Sequence, residues 1–255
     1  MTAPVYLSYY LLAGSGAITA AILFGVHRAL TMAGWPTRDR GRIARLSAFV
    51  LIGWFGAAVA LAVLGVYRDP SDRIPTIQYG MLVPILIGGV LIVRSSTVAR
   101  VLDAVPQSWL IGVQLYRALG VIFLILYGTG KLPGLFAWPA GLGDVLVGVL
   151  APVVAIAYAR GPRENGDLVR AWNILGIVDL LIAVTMGFLT SPSAFQLLAF
   201  DLPSKLISEF PLVLIPTYAV PISILLHLMS LAKLRGSAQR TEAVRQTVAE
   251  GGATA

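Results

Sequence analysis

Residues 46–67 read LSAFVLIGWFGAAVALAVLGVY, a stretch without a single Asp, Glu, Lys or Arg, closed by Arg45 on one side and Arg68 on the other. A helix rises about 1.5 Å per residue, so about 20 apolar residues cross the roughly 30 Å of a bilayer's hydrocarbon. Residues 46–67 are long enough to do so. Working outward, residues 1–27, 74–93 and 210–232 are equally free of charge. Three further apolar stretches carry one ion each: 109–129 holds Arg117, 138–158 holds Asp144 and 171–190 holds Asp179. The expected fold is therefore all-α, a polytopic bundle of seven transmembrane helices. In each, the backbone polar groups are satisfied within the segment, as lipid demands.

Composition agrees. Of 255 residues, 57% are hydrophobic and 12% charged, against roughly 25% charged in an ordinary soluble domain. Mean hydropathy is +0.83. These figures exclude a disordered chain, a small secreted disulfide scaffold and a typical cytosolic enzyme. The chain has no cysteine, which removes thiolate chemistry and cysteine-based metal sites.

The net charge of +7 reads as a topology device. With the N-terminus outside, the inner segments hold Arg28, Arg38, Arg40, Arg42, Arg45, Arg94, Arg100, Arg160, Arg163, Arg170, Lys233, Arg235, Arg240 and Arg245. The outer segments hold only Arg68, Arg73, Lys131 and Lys205. That asymmetry is a positive-inside signal. It puts the C-terminus in the cytoplasm, and an even number of spans would destroy it. The cations then face anionic lipid headgroups, and no nucleic-acid partner is expected. The first apolar stretch lacks a basic n-region and an A-x-A-like cleavage site, so it is expected to be a retained helix.

Residues 1–235 form the expected membrane domain, and 236–255 a polar, mobile cytoplasmic tail. The outer loop at 68–73, RDPSDR, reads as a tight turn, and residues 95–105 as a short interfacial helix. The outer segment 191–209, with Phe195, Leu197, Leu198 and Phe200, is expected on the membrane surface. Pro211, Pro216 and Pro221 predict kinks in the seventh span. Ala13-Gly14-Ser15-Gly16 resembles Ala140-Gly141-Leu142-Gly143, and Val83-Pro84-Ile85 resembles Val220-Pro221-Ile222. A parallel duplication of three helices about a linking fourth would give that pattern.

The chemistry is carried by the intramembrane ions, which cost several kcal/mol to bury and normally face the bundle interior with a partner. Arg117 is placed roughly 3 Å to the cytoplasmic side of its span's centre, and Asp179 within about 3 Å of its own. The two are expected to pair between the fourth and sixth spans. Asp144, roughly 6 Å toward the outside, is expected to be an unpaired carboxylate higher in the same cavity. Gln114, Arg117, Gly120, Tyr127 and Lys131 recur near one face of the fourth span, and Asn173, Gly176 and Asp179 on the sixth. Gln114, Asn173 and Tyr127 therefore join the candidate substrate- or proton-binding residues. Three readings stand: a structural polar clasp, a binding or conduction site near the midplane, and catalysis.

His27 and His227 lie at depths that differ by about 6 Å and are the minimum for a bis-histidine haem. A zinc site would need a third ligand, and no acidic residue lies at the right depth. Lys233 sits at the end of the last span, too shallow for a retinal Schiff base. No HExxH, Walker A, GxSxG or strand-coupled GxGxxG motif is present. Pro106-Gln107 is similar to the dipeptide of PQ-loop transporters, which share a seven-helix, N-out plan, but it stands in a different place.

Residues 132–152, LPGLFAWPAGLGDVLVGVLAP, resemble a block found in uncharacterised bacterial multi-pass membrane proteins. The resemblance extends over about residues 114–152 and more loosely beyond. It implies that Gly141, Gly143 and Asp144 belong to one recognisable unit, and it implies no activity. The excess of arginine over lysine fits a GC-rich bacterial genome. The expectation is thus a bacterial inner-membrane protein that binds or translocates a small solute or proton between its fourth, fifth and sixth helices. The alternatives are a haem-binding electron carrier using His27 and His227, and an accessory subunit whose polar cluster is structural. A second copy or another membrane protein is the expected kind of protein partner.

Overall fold

The computed structural model describes residues 4–68 and 76–252, with side chains through residue 236. The outer turn at 69–73 lies outside the described residues. Within them the chain is helical: α1 (Val5–Met32), α2 (Thr37–Val63), α3 (Ile77–Arg94), α4 (Ser96–Ala104), α5 (Gln107–Gly112), a 3₁₀ segment (Val113–Gly120), α6 (Val121–Gly128), α7 (Gly134–Arg160), α8 (Gly166–Thr190) and α9 (Val220–Gly252). Short 3₁₀ (Lys205–Ser208) and π (Ile215–Ala219) turns precede α9. Seven segments are long and apolar enough to cross a membrane, the fourth being Gln107–Gly128 and the seventh Ile215–Gly236.

Local sequence explains the boundaries. Pro36, Pro106 and Pro133 stand immediately before α2, α5 and α7, where a missing N–H costs nothing. Ser95 caps α4 by accepting a hydrogen bond from the Val98 amide at 3.3 Å. This α4 is the short helix expected between the third and fourth spans. Three helices end by one device. Gly34, Gly65 and Gly130 adopt φ of +70, +73 and +66°. The next amide then reaches back to the carbonyls of Leu30, Leu61 and Leu126, closing a Schellman-type turn. Asn165 links α7 to α8, its side-chain amide adding a second hydrogen bond to the Ala157 and Gly161 carbonyls, which also accept backbone amides there.

α7 is central, packed along the fourth span on one side and α8 on the other; α9 packs on α3, α8 and α5. In lipid no hydrophobic force draws helices together, so close approach depends on small residues. At Gly148 of α7, an added Cβ would strike the backbone of Arg117 and Ala118. By contrast α2 and α3 bury little of their length. Phe49, Leu86, Ile87 and Val90 are exposed on them, as lipid-facing side chains are.

The seventh span starts irregularly. The chain turns at 210–214, winds as the π turn and becomes regular α only at Val220. The kinks expected from Pro211, Pro216 and Pro221 thus take the form of a widened turn, consistent with prolines that lack the N–H for an α ladder. Tyr218 on this turn is fully buried. It meets Trp54 edge-on with centroids 4.9 Å apart, and its hydroxyl lies 2.5 Å from Thr19 Oγ1. The entry to the last span is thereby tied to α1 and α2. Beyond Gly236 the backbone of the expected tail continues as helix through Gly252.

Candidate functional site

A 3₁₀ helix of eight residues is long for its kind, and this one sits in the middle of the fourth span. With three residues per turn, side chains at i and i+3 eclipse. Gln114, Arg117 and Gly120 therefore form one row, and all three are buried. The row faces α7, where a Cβ at Gly120 would collide with Asp144.

Arg117 is 3% exposed and reaches three other helices. Its Nε donates to Asp144 Oδ1 on α7 at 2.8 Å, and one terminal nitrogen donates to Asp179 Oδ2 on α8. The other terminal nitrogen donates to the Gly176 carbonyl at 3.2 Å and lies 3.1 Å from His227 Nε2 on α9. The planar fork suits this, since guanidinium offers five N–H groups in fixed directions. Space for the carboxylates comes from glycine. A Cβ at Gly143 would overlap the Asp179 carboxylate.

Beyond Arg117 the polar groups form a directional string. Arginine has donors only, so His227 Nε2 must accept and the ring proton sits on Nδ1. That proton is directed at Asn173 Oδ1, 2.9 Å away. Asn173 Nδ2 then donates to the Val169 carbonyl and to Ser230 Oγ, at 2.8 and 2.9 Å. Gln107 Nε2 donates to Ser230 Oγ from the far end of the fourth span at 2.6 Å. Trp172 covers the imidazole, with centroids 5.0 Å apart. The charge inventory of the cluster is one guanidinium, two carboxyl groups and an accepting histidine. If both carboxyls are ionised, it is one negative charge in excess.

Two cavities flank Asp144. One, of about 70 Å³, runs between α3, α7, α8 and the π turn. The other, of about 50 Å³, lies between α1, the 3₁₀ segment and α9 and is also lined by Arg117, Tyr116 and Ser223. Asp144 lines both. Its Oδ1 is held by Arg117, while its Oδ2 has no hydrogen bond from any described residue.

Several expectations change against this geometry. Arg117 and Asp179 are bonded across the fourth and sixth spans as expected. Asp144 is not unpaired, because the same guanidinium holds it. The site is not confined to helices 4, 5 and 6, since the seventh span supplies His227 to the cluster and lines both cavities with Ile215 and Val220. Asn173 is in the network, two bonds from Arg117. Tyr127 is not; it is 41% exposed and packs edge-on against Trp138. His27 and His227 are not brought together. His27 is exposed, whereas His227 is fully buried with both ring nitrogens engaged in the cluster. The described residues contain no grouping of three His, Asp or Glu able to hold a metal. Sequence reasoning missed His227, Ser230 and Gln107 as cluster members. The signal was present: His227 and Ser230 stand three residues apart, on one face of an otherwise apolar span.

Gln114 is fully buried, and neither side-chain atom has a hydrogen-bond partner among the described residues. Burying an unpaired amide is costly. Gln114→Met is therefore expected to raise stability by about 1 kcal/mol, measured as a higher midpoint of thermal unfolding in detergent. A lowered midpoint would mean that the amide holds something the protein needs.

Fold and cluster together define a multi-pass, seven-helix membrane protein with a buried ionic centre. More particularly, the chain belongs to the family described as Domain of unknown function (DUF8737), whose model matches residues 74–235. That segment is more than half of the chain and contains every residue of the ionic cluster. No curated protein and no solved structure matches the chain.

Proposed function

We propose that the protein binds a proton or a small monovalent solute at Asp144 and passes it between the two flanking cavities. The observation that carries this reading is Asp144 itself. One of its oxygens is fixed by Arg117, the other is unclaimed, and the side chain borders both cavities. Arg117 and Asp179 organise the site, with His227 and Asn173 holding the guanidinium's far side. An excess negative charge in hydrocarbon is costly. Taking up one positive charge removes that cost, and releasing it on the other side completes a passage. We place the N-terminus outside on the strength of the positive-inside asymmetry, and the protein in a bacterial inner membrane on its resemblance to bacterial multi-pass proteins and its excess of arginine over lysine.

Reconstituted vesicles with a trapped pH dye test this. An imposed pH gradient is expected to collapse faster with the protein than without it. Asp144→Asn is expected to remove that difference while leaving helix content and elution volume unchanged. If the variant is only less heat-stable and the wild type moves no protons, the cluster is a structural clasp and the proposal fails.

A further inference from the structure

The larger cavity beside Asp144 has a shape that speaks to its occupant. Its lining runs from Leu180 on α8 to Ser191 just beyond the end of that helix, eleven steps along the chain or about 16 Å. Its polar lining comes from Gln78, Ser191 and Ser208 at one end and Asp144 at the other. Gln78 lies at the start of α3 and Ser191 directly after α8, so those groups mark the membrane-surface end. Between them the walls are apolar, with the rings of Phe123, Phe136 and Phe188 among the lining. The cavity is thus a slot with a carboxylate at its floor and hydrocarbon along its sides.

A hard metal cation is poorly served there, because it needs a shell of about six oxygens and the floor offers a single carboxylate, already bonded to Arg117. A neutral apolar molecule would fill the slot but leave the excess charge uncompensated. A cation that carries its own apolar body satisfies both ends: the charged head meets Asp144 and the body meets the walls. Aromatic faces attract such a cation as well. The volume of about 70 Å³ equals roughly five waters on the measure that allots about 10–15 Å³ to each. That is the bulk of about five heavy atoms, the size of isobutylammonium, and it is under half of the roughly 150 Å³ that takes a benzene ring.

We infer that the slot between α3, α7 and α8 binds an apolar-bodied organic monocation, a protonated amine or quaternary ammonium, with its head on Asp144. The inference rests on the reading of Asp144 as the site of charge uptake, and it names the class of solute.

Three probes separate charge from body: isobutylammonium, isobutanol (the same size but neutral) and ammonium (charged but without the body). Calorimetric titration of the full-length protein in nanodiscs is expected to show saturable binding of isobutylammonium, at least tenfold tighter than either of the others. Asp144→Asn should abolish the preference over isobutanol. Ala183→Phe, which fills the slot away from the ionic cluster, should weaken isobutylammonium at least tenfold and keeps the test open if Asp144→Asn does not fold. Equal affinity for isobutylammonium and isobutanol, or binding indifferent to both substitutions, would overturn the inference. Asp144-dependent proton movement without amine preference removes this inference and leaves the earlier reading standing. Asp144-dependent amine binding without proton movement does the reverse for protons and supports the slot.

Discussion

Arg117→Met is expected to cost about 3–5 kcal/mol of stability, the usual penalty for removing one partner of a buried ion pair. The reason lies in what stays behind. Asp144 and Asp179 would face each other across the gap with no cation between them, and the Gly176 carbonyl and His227 Nε2 would lose their donor. The loss is attributable to stranded charge rather than lost packing, so it should be reversible. Adding Asp144→Asn and Asp179→Asn to Arg117→Met is expected to recover most of it, because amides can pair with each other where carboxylates cannot. Thermal unfolding of the single, double and triple variants in one detergent checks this. A mild single variant, or a triple variant no better than the single, would show that Arg117 does not bind the two carboxylates into one unit.

Gly148→Ala is expected to be strongly damaging for a change of one methyl group. The new Cβ would meet the backbone of Arg117 and Ala118, which cannot rotate aside. Overpacking of this sort costs about 1–3 kcal/mol, and it would push the 3₁₀ segment off α7 and with it the Arg117–Asp144 bond. Gly53→Ala and Gly128→Ala serve as controls. Nothing stands within 4 Å of a Cβ at either, so both should be neutral or stabilising by up to about 1 kcal/mol, since alanine is the better helix former. If all three behave alike, the helices are not packed this closely.

The spans were legible because oil imposes one rule, and charge-free length obeys it. The pairing of Arg117 with Asp179 was legible for the same reason, since a lone ion at a given depth needs a counter-ion at that depth. Asp144 was misjudged through geometry. Sequence placed the centre of its helix near residue 148, whereas α7 runs Gly134–Arg160 and is centred on residue 147. Arg117 falls at the middle of Gln107–Gly128. The two residues then differ in depth by about 5 Å, a gap the long arginine side chain spans. His227 was read against the other histidine, although the polar residues sharing its own helix face pointed inward to Asn173. The winding of the seventh span before Val220 was legible only as an interruption. Three prolines forbid a regular α ladder without saying which turn replaces it. The cavities were not legible, because empty space is made by pieces of five segments and belongs to none.

The tight winding at Val113–Gly120 fixes a length as well as a row of side chains. Eight residues at the 3₁₀ rise of about 2.0 Å cover about 16 Å, where α winding would cover about 12 Å. The fourth span therefore reaches about 4 Å farther than its residue number would otherwise allow. Relaxing those two and a half turns to the wider helix would draw Pro106 and Thr129 together and fan the aligned row apart by about 60° for every three residues. Arginine and glycine could then no longer both face α7. The ionic centre and the reach of this span are one mechanical quantity, and neither changes without the other.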